Sequence, residues 1–130
     1  MTAIVQVVFD QDQEPVTVST VEGLDAVLDH VAAGSTLDTP PLVALDMPDR
    51  QRSMMVGLRG SLGVLNYVDF AGGGGSASKA DSAGVKPPAY FYCDTWTELP
   101  SDAEVSIAVV RRAAREFLTT GERPTCVNWQ

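Results

Sequence analysis

The sequence has one histidine, His30, so no second imidazole exists to pair with it on a metal or in a proton relay. Its two cysteines, Cys93 and Cys126, form no CxxC and are too few for a zinc framework. They read as reduced, packed thiols, and nothing in their number points to an oxidising compartment. No Lys or Arg precedes Arg50, so the opening MTAIVQVVFDQDQE lacks the cationic leader of a secretory signal, and a cytoplasmic location is expected. No apolar run approaches the ~18 residues of a membrane-spanning helix. Calcium-loop, HExxH and GxSxG patterns are absent from the sequence. AGGGGSASK superficially resembles a phosphate loop, but Lys79 is followed by Ala80 where a Ser or Thr is required, and no helix is predicted after it. These absences leave no cofactor, no metal and no catalytic group to assign, and the expectation is a protein that is not an enzyme.

What is present describes an ordinary globular chain. Its 130 residues, 45% hydrophobic content and mean hydropathy of +0.03 fit one domain spanning 1–130, long enough to bury a core without staples. The net charge of −8 is unevenly placed. Residues 1–49 hold nine acids and no base, whereas residues 50–130 hold eight acids and nine bases. Phosphate repulsion disfavours nucleic acid as a direct partner. A basic protein partner would be attracted, chiefly through a faster encounter, although solubility alone also explains such a balance.

Residues 3–9 and 15–20 are β-branched and flank a turn, predicting a hairpin. Ser19–Thr20–Val21–Glu22 matches a capping box, and Leu24, Val27, Leu28 and Val31 follow helical spacing up to Gly34. Strands are predicted at Leu42–Asp46, Ser53–Arg59 and Leu62–Phe70, the last two joined by Gly60–Ser61, with most of the apolar bulk of Leu62–Phe70 on one face. Ala71–Pro88, AGGGGSASKADSAGVKPP, reads as a long Gly/Ser-rich loop, functional or disordered. Ala89–Asp94 is an aromatic strand. Ser101–Asp102–Ala103–Glu104 is a second capping box ahead of an amphipathic helix that ends at Gly121, and Thr125–Trp129 is a last strand. The predicted class is α+β: a mostly antiparallel sheet packed against two amphipathic helices, in the order β-β-α-β-β-β-loop-β-α-β.

Two regions are candidate contact surfaces. Glu22, Asp25 and Asp29 fall on the polar side of the first helix, three and four residues apart, where mutual repulsion weakens an isolated helix. Asp69, Gly72, Gly73, Gly74, Ser76, Ser78, Lys79 and Asp81 lie on or beside the predicted loop, a segment suited to insertion into a concave site. Trp96, in a polar stretch just past a strand, is either an interface anchor or a core residue. Trp129 reads as core, and His30 as an ordinary helix residue.

Arg111–Gln130, RRAAREFLTTGERPTCVNWQ, resembles the ending of family 1 immunity proteins of bacterial polymorphic toxin systems: an amphipathic helix, a short turn, Arg-Pro, then a strand carrying Trp. The hairpin before it, the Gly/Ser-rich segment, the aromatic strand and the early helix are similar too, more loosely. The resemblance implies a non-enzymatic α+β protein that binds and silences a cognate toxin, often a zinc-dependent nucleic-acid deaminase; from charge, a basic groove on that toxin would suit the acidic balance of this chain. Arg123–Pro124 and Trp129 are expected to serve the fold rather than the contact. The rival readings are an accessory interaction module unrelated to toxins and a small-molecule-binding α+β domain. The latter requires a pocket of convergent polar groups with shifted pKa values.

Overall fold

Val5–Val8 (β1) and Val16–Val18 (β2) pair antiparallel through Val5↔Val18 and Val7↔Val16, giving the predicted hairpin. The computed structural model describes residues 4–8, 14–34, 38–72, 74–81, 84, 86–93 and 95–130. Gly73 of the candidate surface therefore lies outside the described residues. The first helix, α1, runs Val21–Ala33. Its cap is Thr20, one residue later than the expected box: the Thr20 hydroxyl accepts from the Gly23 N–H at 3.0 Å, and Glu22 sits in the positive first turn. Leu24, Leu28 and Val31 are the buried stripe.

Leu42–Met47 (β3), Arg52–Arg59 (β4) and Leu62–Asp69 (β5) form the antiparallel centre, with Gly60 at φ 61° in the two-residue β4–β5 turn. With Gly74–Lys79 as β6 and Asn128–Trp129 as β10, the sheet order is β10-β6-β5-β4-β3-β1-β2, and its ladders are antiparallel. Both helices cover one face. Val110, Ala113, Ala114, Phe117 and Leu118 of α2 (Ile107–Thr120) meet Val43, Leu45, Met54, Val56 and Leu65 in the main core.

The expectation of a long loop over 71–88 is corrected over residues 74–79. Gly74–Lys79 is a strand, β6, that pairs with β5 from Asp69↔Gly74 to Asn66↔Ala77. Small residues form it because its order comes from backbone pairing with neighbouring strands and from the Ser78 hydroxyl, not from apolar side chains. Asp69 Oδ1 accepts the Ala71 and Gly72 N–H groups at 3.0 Å each and closes the corner. At Ser78 the ladder ends, and the Ser78 hydroxyl accepts from the Leu65 N–H at 3.0 Å while donating to the Ala103 carbonyl at 2.6 Å. Asn128–Trp129 (β10) closes the far edge.

Ser101–Glu104 likewise starts no helix. The Glu104 carboxylate, which a capping box would need, instead accepts from the Tyr90 hydroxyl at 2.7 Å and pairs with Arg59 at 3.3 Å. The chain continues as a short strand, Val105–Ser106 (β9), on β5, and α2 begins with Ser106 as its cap. Two further strands, Ala89–Tyr92 (β7) and Thr95–Glu98 (β8), make a separate hairpin, so β6, β8 and β9 are additions to the predicted order. The α+β class and mostly antiparallel sheet stand.

The β5 strand is buried on both faces at Val64 and Leu65, not on one. Tyr90 of β7, with Leu42, Val64, Leu99 and Ala103, forms a second, smaller core on the face away from the helices. Gly57 permits this: a Cβ there would lie 2.8 Å from the Tyr90 ring and 2.6 Å from Val64 Cγ2. Gly57→Ala is expected to lower the unfolding free energy by about 1–3 kcal/mol, as overpacking does. Urea denaturation checks this, and an unchanged midpoint would show that the second core is loose.

Candidate functional site

The structure answers why three acids share one side of α1. Asp25 pairs with Arg115 at 3.0 Å and Asp29 with Arg111 at 2.6 Å, so two of the three face arginines on α2. Glu22 is exposed and forms no ion pair among the described residues. Asp69 is committed to its turn and lies 3.9 Å from Arg52. Gly72 and Gly74 are exposed at the β5–β6 corner. Ser76 accepts from Arg123 at 3.3 Å. Ser78 is fully buried with its hydroxyl bonded at both ends, so it cannot be a contact residue of the folded protein, and that expectation is corrected. Lys79 and Asp81 are exposed at the end of β6. Asp25 and Asp29 are thus engaged by α2, whereas β6 lies between β5 and β10 in the sheet.

The C-terminus of α2 is held by two arginines that precede and open β4. Arg52 Nη1 donates to the Gly121 carbonyl at 2.7 Å and pairs with Glu122 at 2.9 Å, and Arg50 donates to the Thr120 carbonyl at 3.3 Å. Cations here answer the negative end of the helix dipole. Gly121 takes φ 69°, the left-handed cap position, and a Cβ there would meet Arg50 at 2.9 Å. Beyond the cap, Trp129 Nε1 donates to the Pro124 carbonyl at 2.8 Å, and the ring stands edge-on to Tyr67 with Arg123 over it at 5.8 Å. The Arg-Pro and Trp positions thus tie the C-terminal segment to the sheet.

The β7–β8 hairpin presents a different surface. Tyr90 turns inward; Phe91 and Trp96 turn outward and meet edge to face with centroids 5.2 Å apart. Trp96 remains 51% exposed. It stands at a groove of about 520 Å³ whose walls include Pro40, Pro87, Asp38, Lys86 and Glu98. Sequence reasoning found Trp96 but missed Asp38 and Glu98. The alternation Thr95–Trp96–Thr97–Glu98 was the local signal for a strand, and the approach of Asp38 had none.

A family model for immunity protein Imm1 matches residues 12–130. The chain belongs to the Imm1 family of immunity proteins. No curated protein matches it. Imm1 membership makes its partner a cognate toxin, which immunity proteins neutralise.

The fold of this Imm1 chain shifts two tyrosines and a cysteine away from water. Burial, then the hydrogen bond to Glu104, raises the Tyr90 phenol far above its ordinary value. Burial, then neighbouring Cys93, pushes Tyr92 up to about 12. Burial and the Glu116 carboxylate push the Cys126 thiol up, opposite to what a nucleophile requires. Among the described residues no group of three or more His, Cys, Asp or Glu is placed to hold a metal ion.

The folded chain keeps both tyrosines protonated above pH ~10, where the unfolded chain has begun to release those protons. The native state then binds more protons, so stability falls as pH rises from about 10 through about 12. Tyr90→Phe should remove about 1–3 kcal/mol near pH 7, because Glu104 loses its phenol donor. It should also flatten the alkaline decline. Urea unfolding between pH 7 and 11.5 checks both, and parallel pH profiles for the two proteins would exclude the assignment.

Proposed function

We propose that this Imm1 protein neutralises its toxin by stoichiometric binding, with no chemistry of its own, and that the toxin is a nucleic-acid deaminase whose substrate mouth it covers. The observation that carries this is how charge is divided between ion-paired and unpaired groups. Arg50, Arg52, Arg59, Arg111 and Arg115 are all directed at carboxylates of the same chain. Glu14, Glu22, Asp38, Asp49, Asp81 and Glu98 are exposed and form no ion pair among the described residues. Arg50 and Arg115 are exposed even while paired, and among the described residues these six unpaired acids outnumber the four exposed unpaired bases, Lys79, Lys86, Arg112 and Arg123, so the surface carries surplus carboxylate.

A deaminase that works on a nucleic-acid strand holds zinc, a glutamate and a groove for the strand. Phosphates require that groove to be basic, so an acidic exterior competes for the same field. The zinc belongs to the toxin, and this chain needs no cofactor. Its place of action is then the cytoplasm, where the substrate strand is. A standard interface takes about 800 Å² from each partner, a modest part of the 7010 Å² of accessible surface. Protection also requires affinity: a ~1 nM dissociation constant leaves on the order of 0.1% of the toxin free at ~1 µM excess inhibitor.

Co-expression with the toxin encoded beside it should restore growth. Cells receiving the toxin alone should accumulate deaminated bases. A neighbouring toxin that the purified protein fails to bind would overturn the reading, and strand cleavage without deamination would overturn its finer half. Reversing Glu14, Glu22 and Asp49 to Lys should slow association about tenfold at low salt and leave dissociation nearly unchanged. Stopped-flow association across a salt series reads this, and rates indifferent to both charge and salt would exclude steering.

A further inference from the structure

We propose that the outer edge of β8 receives an extended, Lys- or Arg-bearing segment of the toxin as an added strand. This rests on the reading above and names the surface and the kind of segment it takes.

Hydrogen-bond parity aims the edge. The Leu99 N–H donates to the Pro88 carbonyl at 2.9 Å, and the register runs Ala89↔Glu98, Tyr90↔Thr97, Phe91↔Trp96. In an antiparallel ladder bonded pairs alternate, so Thr95, Thr97 and Leu99 bond toward β7, while the N–H and C=O groups of Trp96 and Glu98 point away from it. Phe91 obeys the same parity on the opposite edge, where its N–H donates to the Pro40 carbonyl at 2.8 Å and its bridge to Pro41 closes that side. Among the described residues no strand pairs with the outer side of β8.

The side chains say what kind of segment fits. Trp96 and Glu98 alternate onto the outward face of the hairpin, with Phe91 buttressing the indole. Glu98 and Asp38 stand in one groove without an ion pair among the described residues, while the Arg59 charge there is answered by Glu104. Lys86 is the one groove cation without such a partner among the described residues, so the groove retains net negative charge. A strand laid along β8 places alternate side chains beside Trp96 and Glu98, where a cation gains both the indole face and the carboxylate. Backbone bonds would supply affinity and this alternation selectivity, as in strand addition generally. An edge merely guarded against aggregation is short and charged. This one is short and charged but also carries a large exposed aromatic, which guarding does not require.

Because the Glu98 N–H is not used within the hairpin, a proline there removes an outward donor while sparing the β7 ladder. Binding of an inactivated form of the neighbouring toxin domain, measured kinetically, compares four proteins. Trp96→Ala should weaken binding about thirtyfold, mostly through faster dissociation. Glu98→Gln should weaken it severalfold and reduce its salt dependence, and Glu98→Pro should weaken it about tenfold beyond Glu98→Gln. Hydrogen exchange on the unmodified complex gives a readout free of folding defects: the Trp96 and Glu98 amides should gain protection on binding. Unmodified protein that fails to bind the toxin overturns the proposed function and this inference with it. Tight binding that leaves both amides exchanging as before, or that is indifferent to Trp96→Ala and Glu98→Pro, overturns the edge alone.

Discussion

Val64 and Leu65 are neighbours on β5, point to opposite faces of the sheet, and neither reaches water. A strand buried on both faces must have something packed on each. On one side α2 supplies Val110, Ala113, Ala114, Phe117 and Leu118. On the other, the bare Cα of Gly57 lets the Tyr90 ring settle against β4 and Val64. Seating Tyr90 there sets the orientation of the whole β7–β8 hairpin. Alternation along two paired strands then sends Phe91 and Trp96 outward. The exposed aromatic surface is therefore a geometric consequence of the second core.

Charge is arranged with similar economy. Two arginines of α2 reach Asp25 and Asp29 on α1, and Arg50 and Arg52 reach the carbonyls at the end of α2. Each of these bonds joins elements distant in sequence, and each commits a cation to a partner in the same chain. The acids that remain are spread over the surface, which suits long-range steering. Among the described residues, unpaired Asp38 and Glu98 are brought into one groove beside an aromatic anchor. Steering and anchoring are thus separable, one acting on encounter and the other on residence.

Elements whose own side chains carry the apolar pattern were legible from sequence: both helices, the β1–β2 hairpin, and the run β3, β4, β5. The strands that were missed are ordered by their neighbours. GGSASK has no pattern to read, because β6 is held by the open edge of β5 on one side and Asn128–Trp129 on the other. Val105–Ser106 resembled the first turn of a helix because the competing use of Glu104, by Tyr90 and Arg59, comes from positions far along the chain. Of the contact residues, Trp96 was legible as an aromatic in a polar stretch. Ser78 was misjudged because a serine's burial depends on which distant carbonyl accepts its proton.

By itself the sequence determined the fold class, the imbalance of acid over base, and the presence of a single histidine. Periodicity, formal charge and residue identity are local properties that any conformation of the chain retains. Tertiary structure alone decided which acids are neutralised and which stay free, whether the Gly/Ser segment is loop or strand, and that Trp96, Glu98 and Asp38 share a surface. Those outcomes depend on distances between residues tens of positions apart, and only the packed sheet sets such distances.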